Sequence, residues 1–183
     1  KQSIFTYISD IHENVLAVKI DGPTKEDYVW GFRVGFITYG IKGGDAQLYA
    51  ALESKTAGAV RGNISNAANI SQSLLMQAYA NEDYDRQKEE KYELLKTRYN
   101  AVKEALKDDK YKKYFEALPY NSGYFMCIQL VEGIDGEALR HLLIDKYSIG
   151  TINLNNIIRL AFAAVAAKDM KQLFDGIYDA CCE

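Results

Sequence analysis

Two basic side chains of complementary chemistry, Lys25 and Arg33, lie eight positions apart in the chain. A lysine amine that loses its proton becomes a nucleophile and can form a Schiff base with an aldehyde. A guanidinium stays charged and binds phosphate oxygens through its planar fork. Glycines lie on both sides of Arg33, at positions 31 and 35. The pair therefore predicts a site for a small molecule that carries an aldehyde at one end and a phosphate at the other.

The residues around this pair resemble a known family. Residues 18–26, VKIDGPTKE, and residues 31–35, GFRVG, are similar to the cofactor-lysine segment of fold-type I aminotransferases, the aspartate aminotransferase superfamily. The resemblance implies pyridoxal 5'-phosphate as the cofactor. It also implies that Lys25 is the catalytic Schiff-base lysine, which then moves a proton at the substrate Cα. Arg33 and Thr24 are the implied phosphate ligands.

The residues alone leave other interpretations open for this segment. Lys25 could be an ordinary surface lysine, and Arg33 could form an ion pair with Asp21 or Glu26. Many members of the family carry another phosphate-binding serine three positions before the lysine, where this chain has Gly22. A contact with the phosphate would then come from elsewhere or from the backbone.

Two further arginines are candidates for binding the substrate. Arg159 lies in the apolar run IIRLAF, where an unpaired guanidinium would be costly, so we expect an anionic group to meet it. The resemblance implies that this group is the substrate α-carboxylate, and the alternative is an internal ion pair or a strand-edge arginine. Arg61 matches the family position that binds the distal carboxylate of dicarboxylic substrates. A solvent-facing Arg61 is the alternative.

Hydrophobic periodicity and turn residues predict a mixture of helices and strands. Ser3 is predicted to cap the first helix, and Asp45 caps another helix before a loop rich in Gly, Asn and Ser at residues 58–69. In the resembling family a glycine-aromatic turn opens a strand, and residues 121–125 match it, with Phe125 entering the core. Helices are predicted at 3–13, 45–56, 71–80, 84–106, 135–147 and 168–182, and strands at 15–20, 33–39, 124–131, 149–154 and 157–163.

The order of these elements predicts an α/β chain with a small α+β part at its end. The resemblance implies that residues 1–98 are the C-terminal part of a large pyridoxal-phosphate-binding domain and that residues 99–183 are a small C-terminal α+β domain. Most members of the family are roughly twice as long. We therefore expect a fragment that is inactive alone, with exposed apolar surface and a tendency to self-associate.

Composition excludes several other classes of function. The net charge is −3, with no predicted basic face, so nucleic acid is not an expected partner. The longest apolar run, residues 160–167, is too short to span a bilayer, so no membrane association is expected. The chain has three cysteines without metal-ligand spacing, so we expect no metal site and a cytoplasmic location.

The function implied by the resemblance is transfer of an amino group from an amino acid to a 2-oxo acid. These enzymes build each active site across a dimer, so a homodimer is expected. The same framework supports decarboxylases, lyases and synthases, so these remain alternatives. A third possibility is the aminotransferase-like sensor domain of a transcription regulator.

Overall fold

The computed structural model describes residues 2–121 and 123–183. Ser122, which belongs to the predicted glycine-aromatic turn, lies outside these residues. The chain forms two compact units, Lys1–Tyr84 and Asp85–Glu183. The domain boundary between residues 98 and 99 stays a prediction.

The first unit contains a two-stranded antiparallel ribbon of β1, Ala17–Asp21, and β2, Phe36–Gly40. Its register runs from Ala17 opposite Gly40 to Asp21 opposite Phe36. Both strands were predicted, but each begins later than the sequence indicated. For β2 the reason is backbone geometry: Arg33 has a φ of 53°, which a strand does not tolerate.

The described residues of the first unit form the helices α1, Ile4–Ile8; α2, Pro23–Glu26; α3, Ala46–Asn63; and α4, Asn69–Tyr79. The predicted Ser3 cap is confirmed, because its side chain accepts a hydrogen bond from the Phe5 amide at 3.3 Å. The predicted end of α1 is wrong, since the chain turns at Ser9, whose hydroxyl bonds the Thr6 carbonyl.

The predicted loop at residues 58–69 is also largely wrong. Helix α3 continues through Gly58 and Gly62 to Asn63, and only the segment from Ile64 to Ala68 separates it from α4. The alanines and the other good helix formers in this segment outweigh the cost of two glycines, which is about 1 kcal/mol each. The Asp45 cap is confirmed by a 2.8 Å bond from the Leu48 amide.

Apolar side chains of the first unit are widely exposed. Ile20 in β1 is 79% exposed and Trp30 is 72% exposed. Exposed surface of this kind on a strand and its connection requires another layer to cover it. The predicted exposure of apolar surface in this part of the chain is confirmed. Further examples are Ile4, Ile11, Val18, Ile37, Ile64, Ile70 and Met76.

The second unit contains a four-stranded antiparallel sheet with the order β3-β4-β6-β5. Its helices include α6, Gly136–Tyr147, and α7, Met170–Cys181, and most of the long helix α5, Tyr84–Ala105, belongs to this unit. Among the strands of the described residues, β3 is the one that the sequence did not predict, because three residues are too few to show the two-residue alternation of a strand. The strands are β3, Phe115–Ala117; β4, Met126–Leu130; β5, Ile152–Leu154; and β6, Ile157–Leu160.

A continuous hydrophobic core fills the second unit. Alternation along β4 buries Met126, Ile128 and Leu130, as a strand with one face on the core requires. Helix α7 contributes buried residues at spacings of three and four. The rest of the core comes from α5, β3, α6, β6 and two short 3-10 helices, Asp109–Lys113 and Phe162–Ala164. The buried residues are Val102, Ala105, Tyr111, Phe115, Met126, Ile128, Leu130, Leu139, Leu143, Ile158, Leu160, Phe162, Met170, Phe174, Ile177 and Ala180.

A two-residue turn, Asn155–Asn156, joins β5 to β6. Both residues have positive φ, 52° and 66°, which suits asparagine and matches the twist of a hairpin. The Asn156 side chain accepts a bond from the Gly136 amide at 3.0 Å and donates one to the Ile134 carbonyl at 3.0 Å. The turn is therefore anchored to the start of α6, and it fixes the register of Leu154 opposite Ile157.

Candidate functional site

Lys25, Thr24 and Arg33 all lie in the connection between β1 and β2, residues 22–35. Because Asp21 pairs with Phe36, this connection begins and ends at neighbouring positions of the ribbon. Helix α2 starts with Pro23 at its first position, which suits the helix because its fixed φ is helical and its missing N–H has no partner there anyway. Pro23 is buried, Thr24 is half-buried and Lys25 is exposed in the single turn of helix.

Arg33 lies at the other end of this connection, directly before the buried Val34. Its guanidinium donates a hydrogen bond to the Trp30 carbonyl at 3.4 Å. Within the described part of the chain, Arg33 forms no ion pair, and Asp21 instead binds Lys19 at 2.8 Å. The alternative interpretation of Arg33 as the partner of Asp21 or Glu26 is therefore not seen, and the guanidinium is exposed to solvent.

The two glycines near Arg33 differ in their surroundings. A Cβ at Gly35 would lie 3.4 Å from the Asp21 carbonyl oxygen, whereas a Cβ at Gly31 would meet nothing within 4 Å. Gly35 thus permits close approach of the two ends of the connection. Close packing is therefore seen at Gly35 and not at Gly31.

Asp27 is a residue that sequence reasoning missed. It is the C-cap of α2, and its two carboxylate oxygens accept hydrogen bonds from the hydroxyls of Tyr79 and Tyr84, the first at 2.8 Å. The two tyrosine rings pack edge to face, with centroids 5.3 Å apart. No sequence signal marks this cluster, because more than fifty positions separate Asp27 from either tyrosine.

Arg61 lies in the last turn of α3 and donates a 2.7 Å hydrogen bond to the Ser65 hydroxyl. It lines an open groove of about 450 Å³ that also contains Glu53 and Asn66. Lys25 and Arg33 are not among the residues that line this groove. The groove residues are Ile37, Glu53, Thr56, Ala57, Val60, Arg61, Ser65 and Asn66.

Arg159 lies half-buried in β6 of the second unit, opposite Cys127 on one side and Ile152 on the other. Its guanidinium lies over the Phe125 ring, 4.6 Å from the centroid, which is a cation–π contact. Residues 2–121 and 123–183 supply no ion pair to Arg159, so the alternative of an internal ion pair is not seen. The prediction that Phe125 enters the core is wrong, because this ring is 38% exposed beneath the arginine.

Arg98 in α5 is a second arginine with an incomplete set of partners. One of its terminal nitrogens donates to the Ala163 carbonyl, while its buried Nε has no hydrogen-bond partner among the described residues. Its sequence position gave no signal, since it lies in a helix dense in lysine, arginine and glutamate. Gly123, in the predicted turn beside Phe125, has a φ of 92° and needs glycine for that reason.

The described residues include no group of three or more His, Cys, Asp or Glu side chains placed to hold a metal. Across residues 2–121 and 123–183, no helix combines the length and apolar character needed to cross a bilayer.

Solved structures of aminotransferases share this fold. An aminotransferase from Anaerococcus prevotii matches 93% of this chain and 40% of its own, with a TM-score of 0.73 and 22% identity. The α-aminoadipate aminotransferase from Thermus thermophilus, complexed with N-(5'-phosphopyridoxyl)-L-leucine, matches 83% of this chain and 38% of its own, with a TM-score of 0.65 and 17% identity. The chain has the fold of the C-terminal part of a fold-type I aminotransferase.

A decarboxylase from Sulfurospirillum multivorans has the same fold, with a TM-score of 0.61 and 20% identity over 95% of this chain and 46% of its own. No protein-family model and no curated protein matches the sequence. At these identities the likeness shows the fold alone, and the chain spans about two fifths of the length of the structures that it matches. The predicted α/β fold class and the predicted resemblance are confirmed as far as the fold is concerned.

Within this aminotransferase-like fold, the predicted residues fall into three places. Lys25, Thr24 and Arg33 share the connection between β1 and β2, and Arg61 lines the groove beside α3. Arg159 lies on the sheet of the second unit. Their roles as catalytic, cofactor-binding and substrate-binding residues stay predictions.

Proposed function

We propose that this chain is part of a pyridoxal-phosphate-dependent aminotransferase, which transfers an amino group from an amino acid to a 2-oxo acid. The observation that carries the proposal is the β1–β2 connection. It holds an exposed lysine and an arginine without an ion pair to any described residue, in a fold shared with aminotransferases. The likeness of the fold supports the enzyme class, and the chemistry of Lys25 and Arg33 supports the cofactor.

The residues of this connection fit the cofactor. The amine of Lys25 would join the aldehyde, and the guanidinium of Arg33 and the hydroxyl of Thr24 would bind the phosphate. When bound, pyridoxal phosphate supplies a carbonyl that combines with the substrate amine and a ring that withdraws electrons from the substrate Cα. The phosphopyridoxyl compound in the Thermus thermophilus structure belongs to that protein, and it supports the same cofactor here.

Lys25 has two tasks under this proposal. It would hold the cofactor covalently until the substrate arrives, and its released amine would then take the proton from the substrate Cα and hold it for transfer. An amine on a single turn of helix, directly after the end of a strand, projects from a supported backbone. Such support keeps the amine near the proton that it moves.

Arg159 would bind the substrate α-carboxylate through two hydrogen bonds. The Phe125 ring supports one face of the guanidinium while leaving its edge nitrogens able to donate. Arg61 would bind the distal carboxylate of an acidic substrate. Its bond to Ser65 and the neighbouring Asn66 give this part of the groove polar character.

Borohydride trapping tests the cofactor assignment on the chain itself. The protein is incubated with pyridoxal phosphate, reduced with borohydride and digested, and the phosphopyridoxyl group is located by mass spectrometry. We expect the label on Lys25, its loss in Lys25→Ala, and its retention in Lys55→Ala, a control lysine on α3. An even distribution of label over the surface lysines would overturn the assignment.

The reaction type is tested on a protein that joins this chain to the remainder of the aminotransferase fold. With amino acids and 2-oxoglutarate, an aminotransferase forms glutamate without releasing carbon dioxide. We expect Arg159→Lys to raise KM for all amino acid substrates alike. The decarboxylase from Sulfurospirillum multivorans makes decarboxylation the second candidate. Carbon dioxide release without glutamate would favour it.

The proposal includes a homodimer and a cytoplasmic location. The exposed apolar surface of the first unit supports association, and the three cysteines are free thiols, which suits a reducing compartment. Light scattering of the complete protein tests the dimer. A monomer that retained full activity would contradict it.

A further inference from the structure

We propose that Asp27 is a positioning residue for Lys25, acting through hydrogen bonds from Tyr79 and Tyr84. The inference rests on the proposed role of Lys25. It adds a group that fixes the direction of α2, the single helical turn that carries Lys25, without touching the cofactor.

The cluster joins three separate parts of the first unit. Asp27 ends α2, Tyr79 is the last residue of α4, and Tyr84 is the first residue of α5. The Tyr79 hydroxyl donates to Oδ2 at 2.8 Å and the Tyr84 hydroxyl donates to Oδ1. Both carboxylate oxygens are thus used, and hydrogen bonds to a charged acceptor are about twice as strong as neutral ones.

Helix α2 needs an anchor of the kind that the two hydrogen bonds to Asp27 provide. Helix α2 has only four residues, and an isolated helix of this length does not form in water. Its start is held by the buried Pro23. At its end, the Asp27 amide closes the single turn by donating to the Pro23 carbonyl at 2.9 Å.

The backbone leaves the helix immediately after the anchor. Tyr28 has a φ of 61°, which is costly for a residue with a large side chain. A strained conformation persists only where its surroundings fix it, and the two bonds to Asp27 fix the residue next to it. Lys25, two positions before Asp27, therefore takes its direction from an element pinned at both ends.

Hydrogen exchange tests the anchor without any cofactor. In the double variant Tyr79→Phe/Tyr84→Phe, the Asp27 amide, which donates to the Pro23 carbonyl, should exchange roughly tenfold faster, since the bonds that hold the Asp27 side chain are lost. Tyr7→Phe is the matched control, because its hydroxyl bonds only the exposed Gln2 side chain among the described contacts. Circular dichroism checks that each variant is folded. Unchanged exchange in the double variant would overturn the inference.

Borohydride trapping then tests whether the cluster positions Lys25, because the amount of label reports how readily its amine meets the cofactor. The ratio of label on Lys25 to label on Lys55 should fall severalfold in the double tyrosine variant and in Asp27→Ala. It should recover in part in Asp27→Glu, which keeps a carboxylate. A general loss of structure would change the labelling of both lysines, whereas a positioning role changes their ratio.

The two measurements separate the two proposals. Faster exchange without selective label on Lys25 in the unaltered chain would leave the anchor standing and overturn the role of Lys25. Selective label on Lys25 with an unchanged ratio in every variant would support the role of Lys25 and overturn the positioning role of Asp27.

Discussion

The two units of the chain differ in how they use apolar residues. In the second unit, aromatic and aliphatic side chains from α5, α6, α7 and three strands of the sheet meet in one core, with Phe174 and Ile128 fully buried. In the first unit the described buried apolar residues are small or few, as with Ala17, Val34 and Leu75, while Ile20 and Trp30 face solvent. The second unit can therefore stabilise itself, and the first unit carries the lysine site on a framework that requires further cover.

The largest expected effect is the loss of a core side chain in the second unit. Phe174 is fully buried, and the centroid of its ring lies 6.0 Å from that of the Tyr111 ring and 6.4 Å from that of the Phe115 ring. Phe174→Ala should lower the free energy of unfolding by about 3–5 kcal/mol. Phe36→Ala in β2, where the ring is 41% exposed, should cost about 1 kcal/mol or less. Urea denaturation followed by circular dichroism measures the loss of unfolding free energy in each variant. Equal losses would contradict the difference between the two units.

A charged network should give the second unit a specific sensitivity to acid. Burial alone would raise the pKa of Asp175, but hydrogen bonds from two lysines and a tyrosine outweigh it and lower that pKa to about 2. The donors are Lys110, Tyr111 and Lys171. A carboxyl with a lowered folded pKa stabilises the fold above its unfolded pKa, about 3.9, and loses that contribution as pH falls toward 2.

Asp175→Asn should accordingly lower stability at pH 7 by about 1–2 kcal/mol, since part of the charge interaction is screened by solvent. The variant should also show a weaker loss of stability between pH 4 and pH 2 than the unaltered chain. Asp145→Asn, at an exposed position of α6, is the control. Thermal melts across this pH range would contradict the prediction if both variants followed the same curve.

Self-association should depend on the first unit. Ile20→Lys places a charge on the exposed isoleucine of β1 and should weaken association of the chain roughly thirtyfold, because burying an isoleucine contributes about 2 kcal/mol. Ile144→Lys, at a position 43% exposed on α6, should have little effect. Sedimentation velocity distinguishes the two. A monodisperse monomer for the unaltered chain would contradict the expectation.

The smallest effects come from the helix caps, which have the same chemistry in both units. The Asp135 side chain accepts bonds from the Glu137 and Ala138 amides at 2.9 and 3.1 Å, and the Asp45 side chain accepts one from the Leu48 amide. Each Asp→Ala change should cost about 1 kcal/mol. Asp135→Ala should lower the stability of the packed second unit in denaturation, whereas Asp45→Ala should appear as faster hydrogen exchange in the first turn of α3.

Sequence reasoning found the features that depend on neighbouring residues. The caps at Ser3 and Asp45, the helix that begins near Asp135 and the long amphipathic helix were predicted because their signals lie within a few positions. The Lys25–Arg33 segment drew attention because its chemistry is local, and its role stays a prediction. Helix α3 was predicted too short, because glycine was given more weight than the helix formers around it.

Features that depend on distant residues could not be predicted. The bonds of Tyr79 and Tyr84 to Asp27 join positions that only the folded chain brings together. The orientation of Arg159 over Phe125 likewise depends on how β4 and β6 align. The resemblance of residues 121–125 to a glycine-aromatic turn placed Phe125 in the core, and this local pattern does not reveal that a guanidinium covers the ring.

The asparagine turn between β5 and β6 limits how this chain can vary in length. Side chains alternate between the faces of a strand, so one inserted residue within the hairpin would shift β6 by one position against β5. Ile158 would then turn outward, and the guanidinium of Arg159 would enter the hydrophobic core. Homologues that keep an arginine at this position should therefore tolerate substitutions in the turn far better than insertions or deletions.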